Sequence, residues 1–270
     1  MQVIILGSAA AEAIPDPFCR CDVCEQARQH GGRDARARAA ALVNNDLLVD
    51  LGPDIVSAAN QLRLYLGRLH TVLVTHQHED HWLPSNLYWR DPDFAATPVV
   101  PLTVYGPGDA VSDLEPYMHR AADLSVRAVK GGEQWSAGPY RVTAVPATHG
   151  GGKIEALLYV IDDGERRIFY GTDTAMLGEA AWGILRSLGP LDLILLDATF
   201  GARSGGSGHQ GFEQFIATQA RMQKEGLIGS RTTVVAHHFS HNGGLTHAAL
   251  VDKFAPHGVT VAYDGLTFVL

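Results

Sequence analysis

The sequence predicts a mixed α/β fold in one domain, with its chemistry gathered at one sheet edge. Three observations carry that expectation. Short apolar, β-branched runs alternate with amphipathic helix patterns along the chain. Polar residues recur at the C-terminal ends of those runs. One such end, Thr75-His76-Gln77-His78-Glu79-Asp80-His81, places three imidazoles and two carboxylates within six positions.

Taken in order, the first strand pattern is Val3–Leu6, closed by a glycine turn. Ala40–Val43, Leu47–Val49, Thr71–Val74 and Leu102–Tyr105 follow in the first half of the chain. Tyr140–Val145, Ala156–Ile161, Arg167–Tyr170, Leu193–Leu196, Thr232–Ala236 and Val259–Tyr263 follow in the second. Helices are expected to begin near Pro53, Leu83, Gly108, Leu177, Phe212 and Thr246. Pro53 suits a first helical turn, because its missing N–H would go unpaired there anyway. Thr246 suits a cap, its hydroxyl accepting from a free amide of the first turn. Glycine- and serine-rich loops lie at 150–152 and 201–208. There is no internal repeat, low-complexity tract or linker, so residues 1–270 read as one domain.

Composition narrows the partners. The 270 residues are 46% hydrophobic and 19% charged, which suits a folded globular chain. No apolar run reaches the roughly 20 residues of a membrane span. The start, Met1 to Gly7, lacks the basic head and longer apolar stretch of a signal peptide, so a cytoplasmic protein with no membrane partner is expected. The net charge of −8 disfavours a broad surface for nucleic acid. The basic clusters at Arg33 to Arg38 and Arg166-Arg167 read as solvated charge.

Asp50, His76, His149, Asp173, Asp197 and the pair His237-His238 each follow an apolar strand pattern. Residues placed so would surround one sheet edge, where a site is built. Imidazole and carboxylate together suit zinc, manganese or iron. A solvated polar loop would not need so many scarce histidines at this spacing. Asp50 and Asp264 are expected to hydrogen-bond the loops that carry the ligands, with turn capping as the other reading. Asp197 has no single expected role.

Cys19-Arg20-Cys21-Asp22-Val23-Cys24 is a second cluster. An odd number of cysteines this close argues against a disulfide framework and for a metal site. Three thiolates suit a tetrahedral structural zinc, which needs a fourth ligand. His241, three residues after His238, is the candidate. Such a zinc would pin an irregular insertion around residues 8–38 that otherwise lacks a core.

The run from His76 to His81 fits the H-x-H-x-D-H signature, and the chain resembles the metallo-β-lactamase superfamily. His149, Asp173 and His238 fit the later single ligands. The resemblance implies a sandwich of two mixed sheets flanked by helices. It also implies two divalent ions, zinc or manganese, sharing a hydroxide as nucleophile. His76, His78 and His149 would bind one ion and Asp80, His81 and His238 the other, with Asp173 between them. His237 competes with its neighbour for the last role, and His238 is preferred.

The early C-x-C-x-x-C, the His238-x-x-His241 pair and Asp264-Gly265 narrow the likeness. They resemble the phosphoribosyl cyclic phosphodiesterase group of the carbon–phosphorus lyase pathway. In that group a histidine matching His209, in Gly208-His209-Gln210-Gly211, serves as general acid. Asp80 and His209 would then be the catalytic side chains, and the substrate a small, cyclic phosphate ester. A homodimer is compatible with this. A lactone, lactam or thioester hydrolase uses the same core ligands. A tRNA-processing nuclease should carry a Gly/Pro-rich arm, and none is present. A pyrroloquinoline quinone biosynthesis accessory protein shares the cysteine pattern but has a degraded metal signature, whereas the signature here is intact.

Overall fold

The computed structural model describes residues 1–118, 123–206 and 208–270. The first half supplies β1 (Gln2–Gly7), β2 (Ala40–Val43), β3 (Leu47–Val49), β4 (Thr71–Leu73), β5 (Leu102–Gly106) and β6 (Leu124–Ala128). The second supplies β7 (Gln134–Ala137), β8 (Tyr140–Pro146), β9 (Leu157–Asp162), β10 (Arg167–Gly171), β11 (Leu191–Asp197), β12 (Ile228–His237), β13 (Val259–Val261) and β14 (Thr267–Val269). The helices are α1 (Asp22–His30), α2 (Ile55–Leu62), α3 (Gly108–Ser112), α4 (Glu179–Leu188), α5 (Phe212–Lys224) and α6 (His247–Phe254).

Two seven-stranded sheets form, in the orders β14-β1-β2-β3-β4-β5-β6 and β13-β12-β11-β10-β9-β8-β7. Each is half antiparallel and half parallel. The run β3 to β6 is parallel in the first, and β10 to β13 in the second. This is the expected sandwich of two mixed sheets flanked by helices.

The inner core follows from the two-residue period of strands. Val43, Leu47, Val49 and Leu73 face the other sheet and join Tyr159, Tyr170, Leu193 and Leu195. Their neighbours Leu42, Leu48, Val72 and Val74 face outward onto a second cluster with Ile55 and Ala58 of α2. Both faces are buried, which is why these strands read as continuous apolar runs rather than alternating ones.

Some expectations change. Pro53 lies outside α2, which starts at Ile55 after Asp54. The helix expected near Leu83 is a 3-10 segment, Pro84–Arg90. Thr246 caps α6 as expected, its hydroxyl accepting from the Ala249 amide. The 8–38 segment is not wholly irregular. It contains α1, whose Val23, Cys24 and Ala27 are buried. The cysteine spacing hid a helix start, because Cys-x-x-Cys is also a one-turn helical spacing. Strands β6, β7 and β14 went unread in the sequence; β6 and β14 pair on one side only, at opposite ends of their sheet. Arg36, read as solvated, is 4% exposed. Its guanidinium donates to Ser8 Oγ at 2.8 Å and lies 4.7 Å over the Phe239 ring. Ser207 of the glycine-rich loop lies outside the described residues.

Candidate metal centre

The site sits at the C-terminal ends of the parallel strands. Asp50 follows β3, His76 follows β4, Asp173 follows β10, Asp197 ends β11 and His238 follows β12. His149 follows the antiparallel β8. Asp50, Asp173 and His238 all adopt left-handed backbone, with φ of 66°, 69° and 65°. That conformation costs a non-glycine residue about 1–2 kcal/mol. It turns each side chain sharply off its strand toward one point.

His237 and His238 separate for this reason. His237 completes β12 and points into the sandwich, its Nε2 donating to Gly7 O at 3.1 Å. Burial holds its pKa down to about 3. His238, after the left-handed turn, faces the candidate site.

Two groups of donor atoms converge. In the first, His76 Nε2 lies 2.9 Å from His78 Nδ1, and His149 Nε2 lies 3.2 Å from the same atom. Asp173 Oδ2 is 3.2 Å from His76 Nε2. In the second, His81 Nε2 lies 3.1 Å from Asp80 Oδ2, 3.0 Å from Asp173 Oδ2 and 3.4 Å from His238 Nε2. Within each group the donor atoms lie within 4.8 Å of one another. Edges of about 3.3 Å are what a tetrahedron of ligands 2.0–2.1 Å from an ion has.

The residues fit cations on chemical grounds. Imidazole nitrogens face one another, and one lone pair cannot bond another without a proton or ion between them. The buried Asp173 Oδ1 has no well-formed hydrogen bond. Burial holds the pKa values of His76, His78 and His238 down, against the opposing pull of Asp173. They stay neutral, the form that binds metal. Burial would raise Asp173, but His238 and the close imidazoles of His209, His76 and His81 outweigh it and keep the carboxylate ionised. The His/Asp clusters therefore suit divalent metals.

Each of the four histidines that offers Nε2 has its Nδ1 tied to an oxygen. His76 meets Thr75 Oγ1 at 3.0 Å, and His81 meets Asp50 Oδ2 at 2.7 Å. His149 meets Gly208 O at 3.2 Å, and His238 meets Thr199 Oγ1 at 2.8 Å. Such contacts select the tautomer and ring angle. Asp50 thus plays its expected part. Asp264 does not: its oxygens accept from Ser8 Oγ and the Ala37 amide, joining the N-terminal segment rather than the ligand loops. Thr75 and Thr199 were missed, because a threonine after a strand carries no distinguishing spacing. Gly52 was missed too. A Cβ there would lie 2.1 Å from Asp80 O, so only glycine lets the ligand loop close.

Asp197 gains a role. It accepts from the amides of Thr174, Thr199 and Gln210 and reaches His209 Nδ1 at 3.0 Å. His209 Nδ1 also lies 3.0 Å from Asp173 Oδ1. Burial opposes charge on His209, but these two carboxylates outweigh it and lift its pKa to about 10. His209 therefore stands beside the metal groups with its Nδ1 against Asp197 and Asp173.

The cysteine cluster also assembles. Cys19, Cys21, Cys24 and His241 bring their donor atoms within 4.8 Å. His241 Nδ1 lies 3.6 Å from Cys19 Sγ and 3.5 Å from Cys21 Sγ. Burial opposes ionisation of Cys21, but hydrogen bonds from the Cys24 backbone and His241 bring its pKa down to about 7. No helix among the described residues is long and apolar enough to cross a membrane.

A family model described as beta-lactamase superfamily domain matches residues 45–239. A coenzyme PQQ synthesis protein B from Methylorubrum populi is 36% identical over 93 residues, 30% of this chain. That alignment spans only 31% of the relative's own length. Among solved structures, a diphosphatase from the PhnP family aligns with a TM-score of 0.77 at 21% identity, over 100% of this chain and 97% of that one. Zn(2+)-bound PqqB from Methylobacterium extorquens aligns at 0.72 and 21% identity, over 100% of both chains. The short form of human tRNase Z aligns at 0.69 and 19% identity, over 100% and 99%. At these identities the structural likeness speaks for the fold.

Proposed function

This chain belongs to the metallo-β-lactamase superfamily, and on that premise we propose that it is a two-metal phosphodiesterase acting on a small, cyclic phosphate ester. The observation that carries this reading is the placement of His209. A proton donor held by two carboxylates beside the metal groups is what an alkoxide leaving group requires. His76, His78 and His149 would hold one ion and Asp80, His81 and His238 the other, with Asp173 shared. Two divalent ions, when bound, would lower the pKa of water and neutralise charge at the phosphorus centre. Zinc and manganese both suit this donor set.

The chain's own groups supply the rest. Asp50, Thr75, Thr199 and Gly208 orient the imidazoles. Asp197 holds the Nδ1–H of His209, and His209 would give the proton on its Nε2 to the departing oxygen. Cys19, Cys21, Cys24 and His241 would hold a structural zinc.

The matched stretch of the PQQ synthesis protein favours a second reading, an accessory protein of quinone cofactor synthesis. The complete ligand sets favour hydrolysis. A panel on metal-replete protein separates the two. It would contain bis-p-nitrophenyl phosphate, cyclic ribose phosphates, cyclic nucleotides, pre-tRNA, a lactone and a β-lactam. Turnover confined to the small phosphodiesters is expected. Turnover of the lactone or pre-tRNA alone would replace the phosphodiesterase reading. Inactivity on every substrate would favour the accessory one.

A further inference from the structure

The two candidate metal sites share a strap of four residues, His238-Phe239-Ser240-His241. At one end His238 faces the Asp80–His81 position. At the other, His241 faces the cysteines. Between them Phe239 is 2% exposed and gripped on both backbone edges. Its amide donates to Ser8 O at 2.9 Å, and its carbonyl accepts from the Ala10 amide at 2.9 Å. Ser240 Oγ donates to Glu12. His241 Nε2 lies 3.3 Å from Asp16 Oδ2 and 3.5 Å from Glu12 Oε1.

Ser8, Ala10, Glu12 and Asp16 belong to the segment that runs directly into Cys19, Cys21 and Cys24. One further support, Thr199, comes from elsewhere: its carbonyl accepts from the Ser240 amide at 3.1 Å. The strap begins at the left-handed His238, a conformation that relaxes unless its surroundings hold it.

We propose that the cysteine–histidine site is a positioning device for the second metal position. By seating His241, it keeps His238 turned toward Asp80 and His81. Glu12 and Asp16 are positioning residues in the same device. They take the Nε2 proton of His241 and leave Nδ1 to the sulfurs. The first position, His76, His78 and His149, lies on other loops and is independent of the strap. This inference rests on the two-metal reading above.

The test titrates manganese into metal-stripped active sites. Electron paramagnetic resonance follows the single-ion signal and the spin-coupled pair. Zinc analysis reports the cysteine site separately. Wild type should fill to a coupled pair. Cys21→Ser should lose the zinc and stop at the single-ion signal at manganese levels that saturate wild type. Its second ion should bind 10–100-fold more weakly, with the first unchanged. If Cys21→Ser does not fold, Glu12→Gln combined with Asp16→Asn should weaken zinc and the second ion together.

A folded variant without zinc that forms the pair at wild-type manganese levels would overturn the inference alone. Equal weakening of both positions would also overturn it, since that is what a merely structural zinc produces. Failure of wild type to form any pair would overturn the two-metal reading and the inference with it.

Discussion

His237 and His238 are adjacent in sequence and point to opposite sides of the end of β12. One donates to Gly7 O inside the sandwich, and the other stands 3.4 Å from His81 Nε2 in the site. The left-handed φ of 65° at His238 makes the difference.

The pair should therefore separate by mutation. His238→Gln should lose one active-site ion and nearly all turnover while keeping its fold. His237→Gln should keep its metals and lose about 1–3 kcal/mol of stability, because a buried hydrogen bond is broken. Metal analysis with thermal melts checks both. Metal loss in His237→Gln alone would reverse the assignment.

Asp50 is fully buried and accepts from the Thr75 amide, the Thr75 hydroxyl and His81 Nδ1. An amide in its place would turn an N–H toward groups that are themselves donors. Asp50→Asn should reduce metal affinity about 10–100-fold, more than a distant buried change would. Unchanged affinity by competition with a chelator would remove Asp50 from the site.

His209→Ala should keep its metals and fold. It should lose about 10²–10⁴-fold in rate on alkyl phosphodiesters. The loss should shrink on p-nitrophenyl esters, whose leaving group departs without a proton. Equal losses on both substrates would point to binding instead of proton donation.

Three metals per chain are expected when the protein is fully loaded, two at the His/Asp site and one at the cysteines. Mild chelation should remove the pair first, since thiolate zinc is held by about 10–16 kcal/mol in small domains. A saturated preparation with one metal per chain would rule this out.

His247 offers a pH signature away from the site. Its Nδ1 accepts from Arg36 Nη2 at 2.9 Å, which requires a neutral ring. Burial, then the charges of Arg36 and Arg33, hold its pKa down to about 4 from 6.5. The folded state thus prefers the neutral form. Its contribution is complete above 6.5 and is lost as pH falls from there through about 4. His247→Gln keeps an acceptor that does not titrate, so its melting temperature should fall less over this interval. Parallel curves for the two proteins would contradict the assignment.

Much of the site was legible without coordinates because its chemistry is local. His76 to Asp80 alternate on one short loop after a strand, and three cysteines within six positions have few other uses. The strand ends that carry Asp50, Asp173 and His238 were also readable, since apolar runs mark where each strand stops. The helix α1 was not legible, because its apolar positions overlap the cysteine spacing.

The sequence by itself determined the mixed α/β class, the candidate donor residues and their order along the chain, because residue type and strand periodicity are properties of neighbours; the two-sheet sandwich and the ligand sets came with the family resemblance. Tertiary structure alone decided which atoms meet. It chose His238 over His237 through one backbone turn and assigned Asp197 to His209 and Asp264 to the N-terminal segment. It also buried Arg36 beneath Phe239 and joined the two candidate metal sites by the strap from His238 to His241. These depend on distances between residues far apart in the chain, set by how two sheets and one long N-terminal segment pack together.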